Sequence, residues 1–137
     1  MSREETIVKT KPTSGYVTQV VGVVVDAEFD KSGLPAIYDA LEVGHGKDAI
    51  VLEVAQHLSE SSVRAIALSS TDGLKRGAEV VATGAPISVP VGAATAGRMF
   101  NVLGQAIDGK PDPKNVKKAP IHRAPPALIE QSGKTEI

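Results

Sequence analysis

The residues whose types come closest to a recognised chemical motif lie near the C-terminus. Ser132, Gly133, Lys134 and Thr135 read S-G-K-T, the end of a phosphate-cradling loop of pattern G-x-x-x-x-G-K-[ST], whose backbone N–H groups wrap a polyphosphate. That pattern needs its first glycine at position 128, where this chain has Leu128. It also needs an apolar strand running into the loop and a helix leaving it. Pro125 to Gln131 is not such a strand, and only Glu136 and Ile137 follow Thr135, so the segment reads as a flexible polar stretch. The three histidines are His45 in a hairpin loop, His57 at a strand end and His122 in a proline-rich connector. No two have the H-x-x-x-H spacing of metal ligands, and they read as solvated or hydrogen-bonded imidazoles. Asp26, Glu28 and Asp30 alternate along one stretch. Paired carboxylates can do acid–base work, but no partner base or nucleophile accompanies them, and they read as solvated side chains on an outer face. There is no cysteine, which excludes thiolate zinc sites, disulfides and cysteine catalysis. No residue is therefore assigned as catalytic, cofactor-binding or metal-ligating.

Charge and composition narrow the partners. Fifteen Lys and Arg stand against sixteen Asp and Glu in 137 residues, a net charge of −1, so bulk electrostatics favours neither nucleic acid nor an anionic membrane. Single-strand binding needs aromatic side chains on a basic groove. The only aromatics, Tyr16, Phe29, Tyr38 and Phe100, are dispersed. No apolar run approaches a membrane span, and the N-terminus lacks the apolar stretch of a signal peptide. A carrier domain with a modified lysine usually flanks it with methionine, and the only methionines are Met1 and Met99. These features describe a soluble intracellular chain.

The elements that must position these residues are short strands. Residues 1–14 read as a flexible tail. Tyr16 to Phe29 is rich in β-branched residues and reads as one long strand, with Gly22 marking a bulge or bend and Val20 to Val25 apolar on both faces. Ala36 to Val43 is a second strand, Gly44 to Lys47 a hairpin loop, and Asp48 to His57 a third strand with Ile50, Leu52 and Val54 on one face. Val63 to Leu68 and Ala78 to Thr83 follow, the latter broken by Gly84, and a sixth strand over Ile87 to Val91 is marked by Pro90 as an edge or terminus. Six short strands with turn signals between them predict an all-β fold, a small six-stranded antiparallel barrel over residues 15–92. Thr95 to Leu103 reads as a short helix stopped by Gly104. Ile107 to Pro126, with five prolines, reads as an extended connector that is neither strand nor helix. Residues 93–137 hold too few apolar positions for a core of their own and read as the entrance to a further domain. The residues alone reach a small barrel with a proline-rich exit, and a stand-alone binding barrel for nucleic acid or protein is one reading of it.

Several strings resemble the β-subunit family of the F-type ATP synthases. Gly15 to Asp26 (GYVTQVVGVVVD) is similar to the opening strand of its N-terminal barrel. Val51 to Leu58 (VLEVAQHL) resembles the β type specifically, and Val63 to Gly77 (VRAIALSSTDGLKRG) resembles V-R-x-I-A-x-x-x-T-D-G-L-x-R-G. Pro86 to Gly92 (PISVPVG), Gly97 to Asp108 (GRMFNVLGQAID) and Pro120 to Pro125 (PIHRAP) resemble the barrel exit and the lead into the nucleotide domain. Ala106 departs from the family's usual proline, and Gln105 and Gly109-Lys110 carry an α-subunit flavour. The resemblance implies a barrel that joins α-subunit barrels in an alternating hexameric ring, with other F1 subunits as further partners. It implies no nucleic acid and no direct insertion into the membrane. It places the complete protein in a proton-translocating peripheral complex on the cytoplasmic face of the inner or plasma membrane of a bacterium. The complete subunit binds Mg-ATP or Mg-ADP, and the family's phosphate loop and catalytic residues lie downstream of this chain's last residue. The resemblance therefore transfers no cofactor or catalytic residue onto these positions, and it implies that the chain alone is inactive.

Overall fold

The computed structural model describes residues 13–130 and 133. Six strands close into a barrel: β1 (Thr13–Val21), β2 (Val24–Phe29), β3 (Asp39–Val43), β4 (Ile50–His57), β5 (Ser62–Ala67) and β6 (Glu79–Pro86). Around the barrel they run β1-β2-β5-β4-β3-β6, and β6 pairs back onto β1. Every pairing is antiparallel, so no barrel strand is left with a free edge.

The sequence pattern that makes the barrel is alternation of small and branched apolar residues. Val17, Val25, Leu41, Leu52, Val54, Val63 and Val80 are each less than 2% exposed. Ala27, Ala65, Ala67 and Ala82 fill the gaps between them. A six-stranded barrel is narrow, and mixing alanine with valine and leucine lets inward side chains interdigitate. The scarcity of aromatics thus suits the interior. Phe29 is the one aromatic in it, and its ring lies against Gly15. A Cβ on Gly15 would collide with the carbonyl oxygen of Glu28 and stand 2.7 Å from Cδ1 of Phe29, so the close approach of β1 to β2 requires glycine there.

The stretch expected as one strand, Tyr16 to Phe29, is two. Val21 pairs with Val24 across a two-residue turn of Gly22 and Val23. Gly22 has φ +60, and Val23 is not among the residues of positive φ. Positive φ at only the first central position is the pattern of a type II′ turn, which needs glycine there and matches strand twist. The run of valines is therefore a hairpin end rather than a strand covered on both faces. Periodicity could not separate these cases, because a tight hairpin interrupts the alternation by only two residues.

The expected count of six barrel strands holds through two compensating differences. Ile87 to Val91 is not a barrel strand: β6 runs on through Gly84, and the barrel closes at Pro86. Between its contacts with Asp39 and Leu41, β6 carries extra residues, a bulge that accommodates Gly84 at φ +78. Beyond it, β7 (Ser88–Pro90) pairs with β8 (Lys118–Pro120), a strand inside the proline-rich connector expected to hold none. Proline suits such a ribbon end, because it has no ladder N–H to satisfy. The second expected strand begins at Asp39 rather than Ala36. Strand β1 begins at Thr13, inside the segment expected as a tail, and the rest of that segment lies outside the described residues.

The helix expected over Thr95 to Leu103 does not form. A single 3-10 turn spans Ala93–Thr95, and Phe100 bridges to Ala106 in an antiparallel contact. Gly97 at φ +71 breaks the helical path, and the Thr95 hydroxyl donates back to the Gly92 carbonyl at 2.6 Å rather than capping a helix. Gly104, expected as its stop, instead passes against Val89 and Pro90.

Candidate interaction surface

The barrel interior is filled by its own side chains, which leaves no room for a ligand inside. Any binding must use the outside. A surface groove of about 480 Å³ beside the β1 bulge is lined by Thr18, Gln19, Val20, Leu74 and Arg76. Arg76 is its single ionisable group, so it offers no acid–base pair.

Two rows of outward side chains cross the sheet. The first follows the register Gln19, Asp26, Arg64, Gln56 over β1, β2, β5 and β4. Within it, Arg64 donates from Nε to Asp26 Oδ1 at 2.9 Å and from Nη2 to Oδ2 at 3.0 Å. That fork is the strongest geometry available to a guanidinium and a carboxylate. Hydrogen bonding and charge from Asp26 raise the already high pKa of the Arg64 guanidinium. Asp26 is only 7% exposed. The expectation that Asp26, Glu28 and Asp30 are all solvated therefore fails for Asp26, which the register sets directly opposite Arg64. Glu28 is half-buried and Asp30 exposed. The second row, Val21, Val24, Ile66, Glu53, follows the adjacent register. It is apolar until its last member. Val21 is 60% exposed, Ile66 36% and the turn residue Val23 52%.

Beside Glu53 the chain returns from β8. Imidazole Nε2 of His122 lies 2.9 Å from Glu53 Oε2, and the ring stacks on Tyr38 with centroids 4.0 Å apart and planes 19° off parallel. Tyr38 is held at φ +75. A bulky residue in that region costs about 1–3 kcal/mol, and the turn before β3 holds it there through the bond from Tyr38 N–H to the Val54 carbonyl. The other histidines do different things. His57 donates to the Pro35 carbonyl at 2.7 Å, tying the end of β4 to the β2–β3 loop. A bulge after Val54 shifts its facing relative to simple alternation. His45 stands exposed before the 3-10 turn Gly46–Asp48. The three histidines do not converge, and among the described residues no group of three His, Asp or Glu side chains has the arrangement of a metal site.

Residues 93–112 form a polar-framed lobe. Arg98 Nε donates to Asp108 Oδ2 at 2.7 Å, and its Nη2 donates to the Pro111 carbonyl at 2.6 Å. Asp108 also accepts the N–H groups of Met99 and Lys110. Arg98 holds the Asp108 carboxyl well below the usual carboxylate range, the two N–H donors add to this, and burial opposes it. Asn101 Oδ1 accepts from the N–H groups of Leu103 and Gln105, and Asp112 accepts from Ala106 N–H at 2.7 Å. Outside this frame Met99, Val102 and Ile107 are exposed.

Aromatic side chains do not gather into a stacking platform. Phe29 is in the core, Tyr38 lies on His122, and Phe100 lies under the Arg98 guanidinium at 5.7 Å. The S-G-K-T string of residues 132–135 lies outside the described residues except for Gly133, which is exposed. Sequence reasoning did not foresee the pairings Asp26–Arg64, Glu53–His122 and Arg98–Asp108. The first two require strand register or the chain's return path. The third had a usable signal, since an Arg and an Asp flank a glycine-marked turn at Gly104.

Among the described residues no helix is long and apolar enough to cross a membrane. Residues 17–84, from within β1 through most of β6, match the family model for the ATP synthase alpha/beta family, beta-barrel domain. The matched span holds strands β2 to β5 whole, while the pairs that close β1 onto β6 use Thr13 to Tyr16, just ahead of it. The barrel of this chain is similar to the beta-barrel domain of the ATP synthase alpha/beta family.

Proposed function

We propose that this chain is the N-terminal segment of the catalytic β subunit of a proton-translocating F-type ATP synthase, and that its barrel is an assembly module. It packs side by side with α-type barrels in an alternating hexameric ring. The observation that carries this reading is the contrast between inside and outside. The interior is closed to ligands, while Val21, Val23 and Ile66 stand exposed on one outer region beside the Asp26–Arg64 pair. Clustered exposed apolar side chains with a polar border mark protein-binding surface, and closed rings use one such surface repeatedly.

The β-type assignment draws on Val51 to Leu58 and on the other strings quoted above. Residues 93–137 are then the connector and first part of a nucleotide-binding domain. The complete subunit carries Mg-ATP or Mg-ADP and belongs to a peripheral complex at the cytoplasmic face of a bacterial membrane. The 137-residue chain alone neither binds nor hydrolyses Mg-ATP, which calorimetry and a phosphate-release assay check.

The test of the assembly role is sedimentation of this chain alone and mixed with an α-type barrel. Association is expected in the mixture, and Val21→Asp with Ile66→Asp should abolish it without unfolding the barrel. A chain that stays monomeric at high concentration and ignores the α-type barrel overturns the role. Binding of single-stranded DNA that weakens with salt would instead favour a stand-alone nucleic-acid barrel.

A further inference from the structure

Two Asp-Gly links occur in the chain, Asp72–Gly73 and Asp108–Gly109. Such a link is open to internal attack, because glycine puts no side chain in the way of its own amide nitrogen. The two glycines are alike. Gly73 has φ +84 and Gly109 φ +77, and a Cβ on either would meet nothing within 4 Å. The two aspartates are not alike. Arg98 donates to both carboxylate oxygens of Asp108, and the N–H groups of Met99 and Lys110 donate to it as well. The Asp108 side chain is 13% exposed. Asp72 is exposed, and among the described residues its carboxylate has no hydrogen bond or ion pair. Its link to Gly73 is the central peptide of a turn. Leu74 N–H donates to the Thr71 carbonyl at 2.9 Å, and of the two central residues only Gly73 has positive φ, which makes a type II turn. The Gly73 N–H takes no part in that bond.

We propose that Asp72–Gly73 is a modification site at which the folded chain converts aspartate to isoaspartate without a catalyst, and that Arg98 suppresses the same conversion at Asp108–Gly109. The Gly73 nitrogen bonds to Cγ of Asp72, and the amide proton leaves with the carboxyl OH as water. The product is a five-membered cyclic imide. Water then adds to one of its two carbonyls. Cleavage of the bond from nitrogen to Cγ restores aspartate. Cleavage of the bond from nitrogen to the main-chain carbonyl leaves isoaspartate, with the backbone running through Cβ. One water leaves and one enters, so the mass is unchanged and no other reactant is needed.

Ring closure demands that the side chain swing onto the next nitrogen. Asp72 has no bond to give up in doing so. Asp108 must release the Arg98 fork, and hydrogen bonds between ionised groups are about twice as strong as neutral ones. Arg98 also holds the Asp108 carboxyl well below the usual carboxylate range, which keeps it in the charged form, the poorer electrophile. The consequence at Asp72 reaches beyond its own turn. Isoaspartate adds one main-chain carbon inside the loop that the Leu74–Thr71 bond closes. The Thr71 hydroxyl donates to the Gly22 carbonyl at 2.8 Å, so the altered turn is tied to the hairpin end that carries Val21 and Val23.

The test is peptide mapping of the full chain after incubation at neutral pH and 37 °C. Cleavage after Lys and Arg puts Asp72 in peptide 65–75 and Asp108 in peptide 99–114, since Lys110 precedes a proline. Isoaspartate is read from electron-based fragmentation, which splits its Cα–Cβ bond. In the folded chain it should accumulate at position 72 at least about tenfold faster than at 108, the factor that one hydrogen bond to a charged group supplies. In guanidinium chloride the two rates should converge, because the dipeptide is the same. Arg98→Gln should raise the rate at 108 and leave the rate at 72 unchanged. Equal rates in the folded chain, a difference that persists in guanidinium chloride, or a position 108 that stays slow in Arg98→Gln overturns the assignment.

Discussion

The barrel and the lobe that follows it are held by opposite means. The barrel closes on an interior of apolar side chains with no charge among them. The lobe of residues 93–112 leaves Met99, Val102 and Ile107 exposed and is framed by Arg98, Asp108, Asn101 and Asp112 through directed hydrogen bonds. The difference teaches where each could have been read in advance. Apolar burial is roughly proportional to area and tolerant of register, so a strand pattern announces it. A hydrogen-bonded frame depends on which donor meets which acceptor, and the sequence announces that only weakly.

The sharpest way to break the contrast is to remove the same kind of group from each region. Leu52 is fully buried in the barrel and Val102 is exposed on the lobe. Leu52→Ala should cost about 2–5 kcal/mol of unfolding free energy through lost burial and a residual cavity. Val102→Ala should change it by less than about 0.5 kcal/mol. Urea unfolding of both variants decides this, and equal losses would mean that the lobe is part of the same cooperative core.

A smaller effect is expected where the barrel depends on backbone approach. Gly15→Ala puts a methyl into the space between Glu28 and Phe29. Overpacking of this kind costs about 1–3 kcal/mol, seen as a lowered urea midpoint at unchanged slope. No cost at all would show that β1 can withdraw from β2, and that the closure is looser than the register implies.

Much of the barrel was legible because its constraints are local. Gly, Pro and Ser clusters between valine-rich runs announced the all-β pattern, and Leu52 and Val54 announced an inward face, while the count of six came from two differences that cancel. The Tyr16–Phe29 hairpin was not, because Gly22 between valines is compatible with a bulge or a turn, and only pairing decides. The lobe was misread as a helix because Met99, Val102 and Leu103 happen to fall at helical spacing. What decides there is Asp108, ten residues beyond Arg98, whose pull on the guanidinium no helical periodicity contains. The outer surface was least legible. Asp26 opposite Arg64, and His122 over Glu53, follow from register and from a chain that doubles back, neither of which a linear pattern reports. Val21 and Val23 looked like core and are exposed at a hairpin end.

On the lobe itself the expected effect is local. Asp108→Asn removes the charge that draws in Arg98 but keeps a similar shape. Exchange protection should fall at Ile107, whose N–H donates to the Met99 carbonyl, and at Asn101 and Gly104. The urea midpoint of the barrel should not move. A variant in which barrel amides such as Phe29 lose protection together with Ile107 would join the two regions into one unit and dissolve the comparison.

The smallest effect expected is an absence of change, and it separates the lobe from the barrel. Arg98 lowers the Asp108 pKa well below the usual carboxylate range. A depressed carboxylate contributes stability that is fully present above its unfolded pKa and lost as the pH falls through its folded one. The unfolded value of an aspartate is about 3.9, so protection of Ile107 should be flat from pH 8 down to about 4 and decline only below it. The barrel amide of Phe29, which donates to the Ser61 carbonyl, should hold constant over that same range. Both amides can be followed in one titration. If Ile107 loses protection between pH 6 and 5, Asp108 is not what holds the lobe. If the two amides lose protection in step, the barrel and the lobe open together, and the contrast between an apolar core and a hydrogen-bonded frame does not divide the molecule into separately held parts.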